Sequence, residues 1–228
     1  MAAQECSDTG HVVKKVGCPI EVILLLDESS SMEGPLWEQL KECAVEILNM
    51  LKDGRDCVGV FTYASKLVER VKIDWVDSIR ESAKRTLNTM EPVGGMTAMY
   101  DAVVAVIDKL IVKRHKSNRP DYEYYLFVLT DGISNSGKRQ DPFDVNKILV
   151  DLKETKLPNL HVQGLVLQDK NNKDDDVFRN MKIMVGQHVG TAGVVGEAFF
   201  AENTAEALKE KMMTIVKRKM NQRNIGGG

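Results

Sequence analysis

The sequence has little that would place the chain in a membrane or direct it to export. The apolar run from Val22 to Leu26 has five residues and no apolar run in the chain exceeds six, whereas about 20 are needed to cross a bilayer. The first ten residues contain no apolar stretch of the kind found in a secretory signal peptide, and no Asn-x-Ser/Thr sequon occurs. We therefore expect no membrane insertion and a cytoplasmic location, with secretion as the alternative if a signal peptide had been removed.

The sequence also lacks the spacings of cysteine and histidine that mark zinc sites. Four cysteines show neither CxxC nor zinc-finger spacing, and four histidines are scattered without an HExxH motif. A net charge of −2 provides no basic field for nucleic acid, so we expect no nucleic-acid partner. The hydrophobic content of 43% over 228 residues is sufficient for the core of one α/β domain.

Apolar runs and helical repeats alternate along the chain. The run from Pro19 to Leu26 indicates a strand buried on both faces. Apolar residues at helical spacing from Leu36 to Leu51 then predict an amphipathic helix over residues 35–51. By the same criteria we predict further strands at 57–63, 67–73, 122–130, 160–167 and 194–200, and further helices at 75–90, 97–113, 142–155, 174–185 and 203–220.

This order of elements predicts a doubly wound α/β fold, in which a mostly parallel sheet of about six strands has helices on both faces. The short gap between residues 63 and 67 predicts an antiparallel hairpin, which makes residues 67–73 an antiparallel edge strand. We expect one domain over residues 17–220, a flexible N-terminal segment over 1–16 and a flexible C-terminal tail over 221–228.

Oxygen-bearing side chains follow the predicted strands. Asp27, Ser29 and Ser31 come directly after the first strand, Thr97 follows a glycine-rich loop, and Asp131 follows the strand at 122–130. Open parallel sheets bind ligands beyond the carboxyl ends of their strands. Because all these donors are oxygens, they suit a hard cation such as Mg²⁺, Mn²⁺ or Ca²⁺. They could also be ordinary turn residues and helix caps, but their convergence at one edge favours a metal site.

The pattern Asp-x-Ser-x-Ser, a distant Thr and a later Thr-Asp-Gly resembles the metal-ion-dependent adhesion site of von Willebrand factor A domains, and the resemblance covers nearly the whole chain. It implies that Ser29 and Ser31 are direct hydroxyl ligands. It also implies that Asp27 and Asp131 hold the ion directly or through water, and that Thr97 engages as the site opens. Mg²⁺ is the cofactor implied, with Mn²⁺ or Ca²⁺ possible. Ser30 replaces a frequent glycine of the family, and we expect position 30 to contribute only backbone geometry.

The resemblance implies a protein-binding module that is not an enzyme and has no catalytic residues. A partner protein would present an exposed Asp or Glu that completes the shell of the cation. We expect neighbouring side chains to form a partner-binding rim: Glu28, Glu33, Met96, Met99, Ser134 and Asn135. Within the family the strand ends are loosely similar to stand-alone prokaryotic members such as tellurite-resistance proteins. The alternatives are a metal-assisted phosphate hydrolase, which would need a general base or a second metal, and a scaffold whose metal site is vestigial.

Three further motifs have ordinary explanations. Residues 132–138 fit the GxxxxGK part of a phosphate-binding loop, but Arg139 stands where a Ser or Thr should hold Mg²⁺, so a surface loop is favoured. Gly190, Gly193 and Gly196 lead into a strand instead of opening a helix, which favours a turn. The acidic segment 169–176 lacks the glycine and glutamate of an EF-hand, which favours a solvated loop.

Overall fold

Six strands form one sheet in the computed structural model, which describes residues 19–111, 122–132, 134–168, 175–202 and 204–225. The order across the sheet is β3-β2-β1-β4-β5-β6, and all neighbours are parallel except β2 and β3. The predicted parallel sheet with one antiparallel edge strand is therefore confirmed. The strands are β1 (Ile20–Asp27), β2 (Cys57–Tyr63), β3 (Leu67–Trp75), β4 (Glu123–Thr130), β5 (Leu160–Gln168) and β6 (Gly196–Glu202).

Helices cover both faces of the sheet, as predicted. One face packs against α3, α4 and α5, and the opposite face packs against α1, α2 and α6. No helix within the described ranges is long and apolar enough to cross a membrane. The helices are α1 (Pro35–Met50), α2 (Val76–Thr89), α3 (Met99–Val106), α4 (Pro142–Thr155), α5 (Asp175–Val185) and α6 (Ala205–Ile225), with a 3-10 turn at Ser30–Met32 and a π-helical turn at Ile107–Ile111.

Strand β1 lies at the centre of the sheet and all eight of its residues are buried. Its side chains alternate between the two cores, so that Leu25 belongs to the core formed with α3, α4 and α5 whereas Leu24 belongs to the core formed with α1, α2 and α6. A strand with helices on both faces has no solvated side, which explains its continuous apolar run. The chain continues from β1 to β2 on one side, and β4 pairs on the other. The carboxyl ends of β1 and β4 therefore meet at the topological switch point, where such sheets bind ligands.

The structure differs from the sequence prediction at two helices. The α-helix predicted from residue 97 begins at Met99, because the amide of Ala98 donates to the carbonyl of Ala64 and the backbone of Thr97 bonds to a neighbouring loop. The last helix continues to Ile225, five residues past its predicted end at residue 220. The predicted flexible segment 1–16, and residues 112–113 of the predicted helix, lie outside the described residues.

Candidate metal centre

The ends of β1 and β4 bring four of the predicted ligands together. Asp27 is the last residue of β1, Ser29 and Ser31 lie in the turn after it, and Asp131 follows β4. Ser31 Oγ donates to Asp131 Oδ1 at 2.8 Å, and Ser29 Oγ lies 3.1 Å from Ser31 Oγ. A continuous chain of oxygen atoms therefore connects Asp131 to Ser29 across two strands that are distant in sequence.

The carboxylate of Asp27 is held by two hydrogen bonds. Oδ1 accepts the backbone N–H of Ser29 at 2.9 Å, and Oδ2 accepts the hydroxyl of Thr130 at 2.8 Å. The backbone N–H of Gly132 donates to the same Thr130 hydroxyl at 3.1 Å, which links Asp27 to the Thr-Asp-Gly turn. Asp27 is fully buried. These contacts fix the orientation of the carboxylate before any ligand binds.

The glycine-rich loop before Thr97 is tied to the turn after β1. Gly94 N–H donates to the carbonyl of Glu28 at 3.0 Å, and Gly95 N–H donates to Ser30 Oγ at 3.2 Å. Both glycines have positive φ values, 74° and 107°, a conformation that glycine adopts without steric cost. The expectation that position 30 contributes only backbone geometry is therefore wrong, because the Ser30 hydroxyl accepts a hydrogen bond from the glycine-rich loop before Thr97.

The pKa values of the two carboxylic acids of the centre, Asp27 and Asp131, are both raised. Burial raises the pKa of Asp27 to about 6, and the charge of Asp131 adds to this effect, against the lowering effect of the bonds from Ser29 and Thr130. Burial also raises the pKa of Asp131. No lysine, arginine or histidine in the described parts of the chain forms an ion pair with either carboxylate. A bound cation would compensate both charges, because an opposite charge favours the ionised form.

The donor set suits a hard cation. Within the described residues no three His, Cys, Asp or Glu side chains converge as metal ligands, so a cation at this edge would be held by hydroxyls together with two carboxylates. Oxygen donors of this kind match Mg²⁺, Mn²⁺ or Ca²⁺ better than a thiolate-preferring ion. The side chains present therefore fit a divalent metal.

Three of the six predicted rim residues are buried in this structure, which does not fit a place on an exposed partner-binding rim. Glu28 is 1% exposed, because its side chain turns towards the sheet edge and pairs with Arg70 at 2.5 Å. Met99 is 2% exposed, because it lies in the first turn of α3 on the side that packs on the sheet. Ser134 is 4% exposed, and its hydroxyl donates to the carbonyl of Thr97 at 3.3 Å.

The other three predicted rim residues are exposed. Glu33 and Met96 reach solvent, and Met96 is 53% exposed. Asn135 is also exposed, although its amide oxygen already accepts the Thr97 N–H at 2.8 Å. Sequence reasoning missed Val93, which is 71% exposed on the same loop as Met96. An apolar residue inside a proline- and glycine-containing loop was the available signal.

Sequence reasoning also missed the role of Arg70. Its Nε donates to Thr62 Oγ1 at 2.8 Å and its Nη2 donates to Glu28, so it bridges β2 and the turn after β1. The alternation of apolar and charged residues in β3 indicated only a half-exposed strand. Nothing in that local pattern distinguishes this charged side chain from the solvated ones beside it.

The motifs set aside on sequence grounds have structural roles. The loop that resembles a phosphate-binding loop is built around Asp101 of α3, whose Oδ2 accepts the Lys138 N–H at 2.5 Å. At Gly196 an added Cβ would lie 1.6 Å from the carbonyl oxygen of Val162, so this glycine permits close strand pairing. Residues 169–174 of the acidic segment lie outside the described residues.

The family model of the von Willebrand factor type A domain matches residues 21–210. The chain therefore belongs to this family, whose members often mediate metal-dependent protein interactions. No curated protein sequence matches the chain.

Solved structures agree on the fold. Proximal thread matrix protein 1 from the mussel byssus, with a zinc-occupied MIDAS motif, superposes with a TM-score of 0.63 at 14% identity, over 91% of this chain and 47% of that one. BatB from Bacteroides thetaiotaomicron has a TM-score of 0.56 at 18% identity, over 87% and 98%. The PilB minor pilin from Streptococcus sanguinis has 0.64 at 13%, over 92% and 62%. This chain spans about half the length of the mussel protein, and at these identities the likeness shows the fold alone.

Proposed function

We propose that the chain is a metal-dependent protein-binding module. Ser29 and Ser31 coordinate a divalent cation, Mg²⁺ in the first instance, while Asp27, Asp131 and Thr97 hold it directly or through water. The observation that carries the proposal is the chain of oxygens from Asp131 through Ser31 to Ser29 at the ends of β1 and β4. This convergence supports the resemblance of the sequence motif to a metal-ion-dependent adhesion site.

The chemistry of the donors supports recognition of an acidic partner. Neutral hydroxyls donate less charge than carboxylates, so the cation stays electron-poor and can accept an external carboxylate, since Mg²⁺ usually keeps exchangeable water in its shell. The exposed side chains of Glu33, Met96 and Asn135 would contact the protein that supplies this Asp or Glu. Met96 adapts its shape to an apolar neighbour, whereas Glu33 disfavours a second acidic group on the partner.

A binding role is better supported than hydrolysis of a phosphate ester. A hydrolase would need a general base near the cation. Glu28, which lies next to Asp27 in sequence, is buried with its carboxylate paired to Arg70, so it is not available for proton transfer to a substrate.

Calorimetric titration of Mg²⁺ into the wild type and Asp27→Asn tests the metal centre. Asparagine is close in shape and can still accept the Ser29 N–H, so the change removes charge with little effect on packing. We expect measurable binding in the wild type and none in the variant, with similar melting temperatures. Ser82→Ala, on the exposed side of α2, is the matched control and should bind as the wild type does. Undiminished binding by Asp27→Asn would refute the assignment, and absence of binding by the wild type would identify a vestigial site.

Capture of partner proteins with the immobilised chain tests the recognition step. We expect a specific protein to be retained in Mg²⁺, released by EDTA and regained when Mg²⁺ is restored. Asp27→Asn should retain none of it under any of these conditions. Retention that is indifferent to both the chelator and the substitution would show that the partner binds elsewhere on the chain.

A further inference from the structure

Both backbone polar groups of Thr97 bond to one short segment, residues 134–136, that follows Asp131. The Thr97 N–H donates to Asn135 Oδ1 at 2.8 Å. The Thr97 carbonyl accepts the N–H of Asn135 at 2.9 Å, the N–H of Ser136 at 3.2 Å and the hydroxyl of Ser134 at 3.3 Å. We call these four hydrogen bonds the clasp. It joins the loop that carries Thr97 to the loop that carries Asp131.

A second set of contacts fixes the far end of the same loop. Lys138 N–H donates to Asp101 Oδ2 at 2.5 Å, and Arg139 Nη1 donates to Asp101 Oδ1 at 2.9 Å. Gly137 has a φ of 96°, and a Cβ there would lie 2.5 Å from Asp101 Oδ2. Since Asp101 belongs to α3, which begins two residues after Thr97, the loop after Asp131 is bonded both to Thr97 and to the helix that Thr97 precedes.

The side-chain oxygen of Asn135 is the part of the clasp that a substitution can remove to test it. The other contacts to Thr97 come from two backbone amides and from the hydroxyl of Ser134, which donates to a carbonyl that has other donors. The Thr97 N–H, by contrast, has Asn135 Oδ1 as its acceptor, and Thr97 is only 4% exposed. Removing that oxygen leaves a buried N–H unsatisfied, which favours displacement of the residue from this position.

We propose that the clasp sets the position of the Thr97 hydroxyl relative to Asp131, and that Asn135 is the positioning residue. The inference rests on the metal centre proposed above. Thr97 and Asp131 then move as one unit with residues 134–136, so a partner that contacts the exposed Asn135 also acts on the cation through Thr97. Groups that orient metal ligands in this way change metal affinity by about 10- to 100-fold when they are removed.

A double-mutant cycle measured by calorimetric Mg²⁺ titration tests the proposal. The four proteins are the wild type, Asn135→Ala, Thr97→Ala and the double variant. We expect each single variant to bind about 10-fold or more weakly, and the double variant to bind no more weakly than Thr97→Ala. If Asn135 acts by positioning the Thr97 hydroxyl, its removal has no further effect on Mg²⁺ affinity once that hydroxyl is absent. If the two residues act independently, their losses of binding free energy add.

Two further variants separate positioning from damage to the loop. Gln140→Ala changes an exposed side chain close to the same loop that takes no part in the clasp, so its affinity should equal that of the wild type. Asn135→Asp keeps an oxygen acceptor for the Thr97 N–H, so it should bind Mg²⁺ at least as tightly as the wild type. Melting temperatures of all variants check that each is folded.

The outcomes distinguish this inference from the proposal on which it rests. A wild type that binds no Mg²⁺ overturns the metal centre and the clasp together. If the wild type binds and Asn135→Ala binds equally well, the clasp has no positioning role and only this inference fails. Additive losses in the double variant, or an Asn135→Asp protein as weak as Asn135→Ala, also overturn it.

Discussion

Replacing Arg70 by methionine should destabilise the fold, because it leaves the carboxylate of Glu28 buried without a partner. The Glu28 side chain is 2% exposed and the Arg70 side chain is 21% exposed. Arg70 also donates to Thr62 Oγ1. Methionine replaces the aliphatic stem of arginine and leaves out its guanidinium group, so the change mainly removes the charge and the donors.

The expected loss follows from the burial of the pair. Removing one partner of a fully buried ion pair costs about 3–5 kcal/mol. Because Arg70 is partly exposed, water can reach the vacated side of Glu28, and we expect a loss of about 2–3 kcal/mol in the free energy of unfolding. That is a large share of a typical domain stability of about 5–15 kcal/mol. Glu28→Gln in the Arg70→Met background removes the unpaired charge and should restore most of the loss.

Equilibrium unfolding in urea, followed by circular dichroism, measures this prediction. The solutions contain EDTA, because a cation bound to the native state would add its own stabilisation. Lys72→Met is the matched control, since Lys72 is exposed on the same strand, and its change should stay within about 0.5 kcal/mol. A loss below about 0.5 kcal/mol for Arg70→Met, or a double variant whose losses add, would refute the reasoning.

Three other predictions concern residues away from the metal centre. Asn146→Ala removes the side-chain hydrogen bonds to Met184 O, Gly193 O and the Ala192 amide. It should lower the free energy of unfolding, measured in urea, by about 2–4 kcal/mol. A decrease no larger than that caused by Lys147→Ala, at the exposed neighbouring residue, would contradict this prediction. Gly196→Ala places a Cβ against the Val162 carbonyl, so β6 should detach and lose amide protection in hydrogen exchange, and unchanged protection would refute the close approach. Burial raises the pKa of Cys43 to about 12, so its thiolate fraction at pH 8 is about 10⁻⁴. Peptide mass spectrometry should therefore find Cys43 unmodified by iodoacetamide in the native protein and modified in denaturant. Rapid modification of the native protein would contradict the burial of the thiol.

The fold class and most of the element order could be predicted from the sequence alone, because these depend on local periodicity. The apolar run of β1 predicts a strand with both faces covered, and all its residues are buried. The helices predicted at 35–51 and 142–155 agree with α1 and α4 to within one residue at each end. Helix ends without a local stop signal were less predictable, and α6 accordingly runs five residues past its expected end at 220.

The sequence also predicted which oxygen donors meet, because the carboxyl ends of adjacent parallel strands must lie at one edge of the sheet. The contact between Ser31 and Asp131, which lie 100 residues apart, follows from that rule once β1 and β4 are neighbours. The prediction needed only the order of strands and the residues directly after them.

The exposure of the side chains around that edge, by contrast, could not be predicted without the three-dimensional fold. Glu28 and Met99 lie next to predicted ligands or loops, yet one pairs with Arg70 of β3 and the other packs in the core. Sequence adjacency does not specify on which side of a turn a side chain falls, because that depends on the partner that meets it from a distant strand. The bonds from Ser30 to Gly95 and from Thr97 to Asn135 are of the same kind. They depend on side-chain atoms meeting backbone groups across separate loops, which no local pattern in the sequence records.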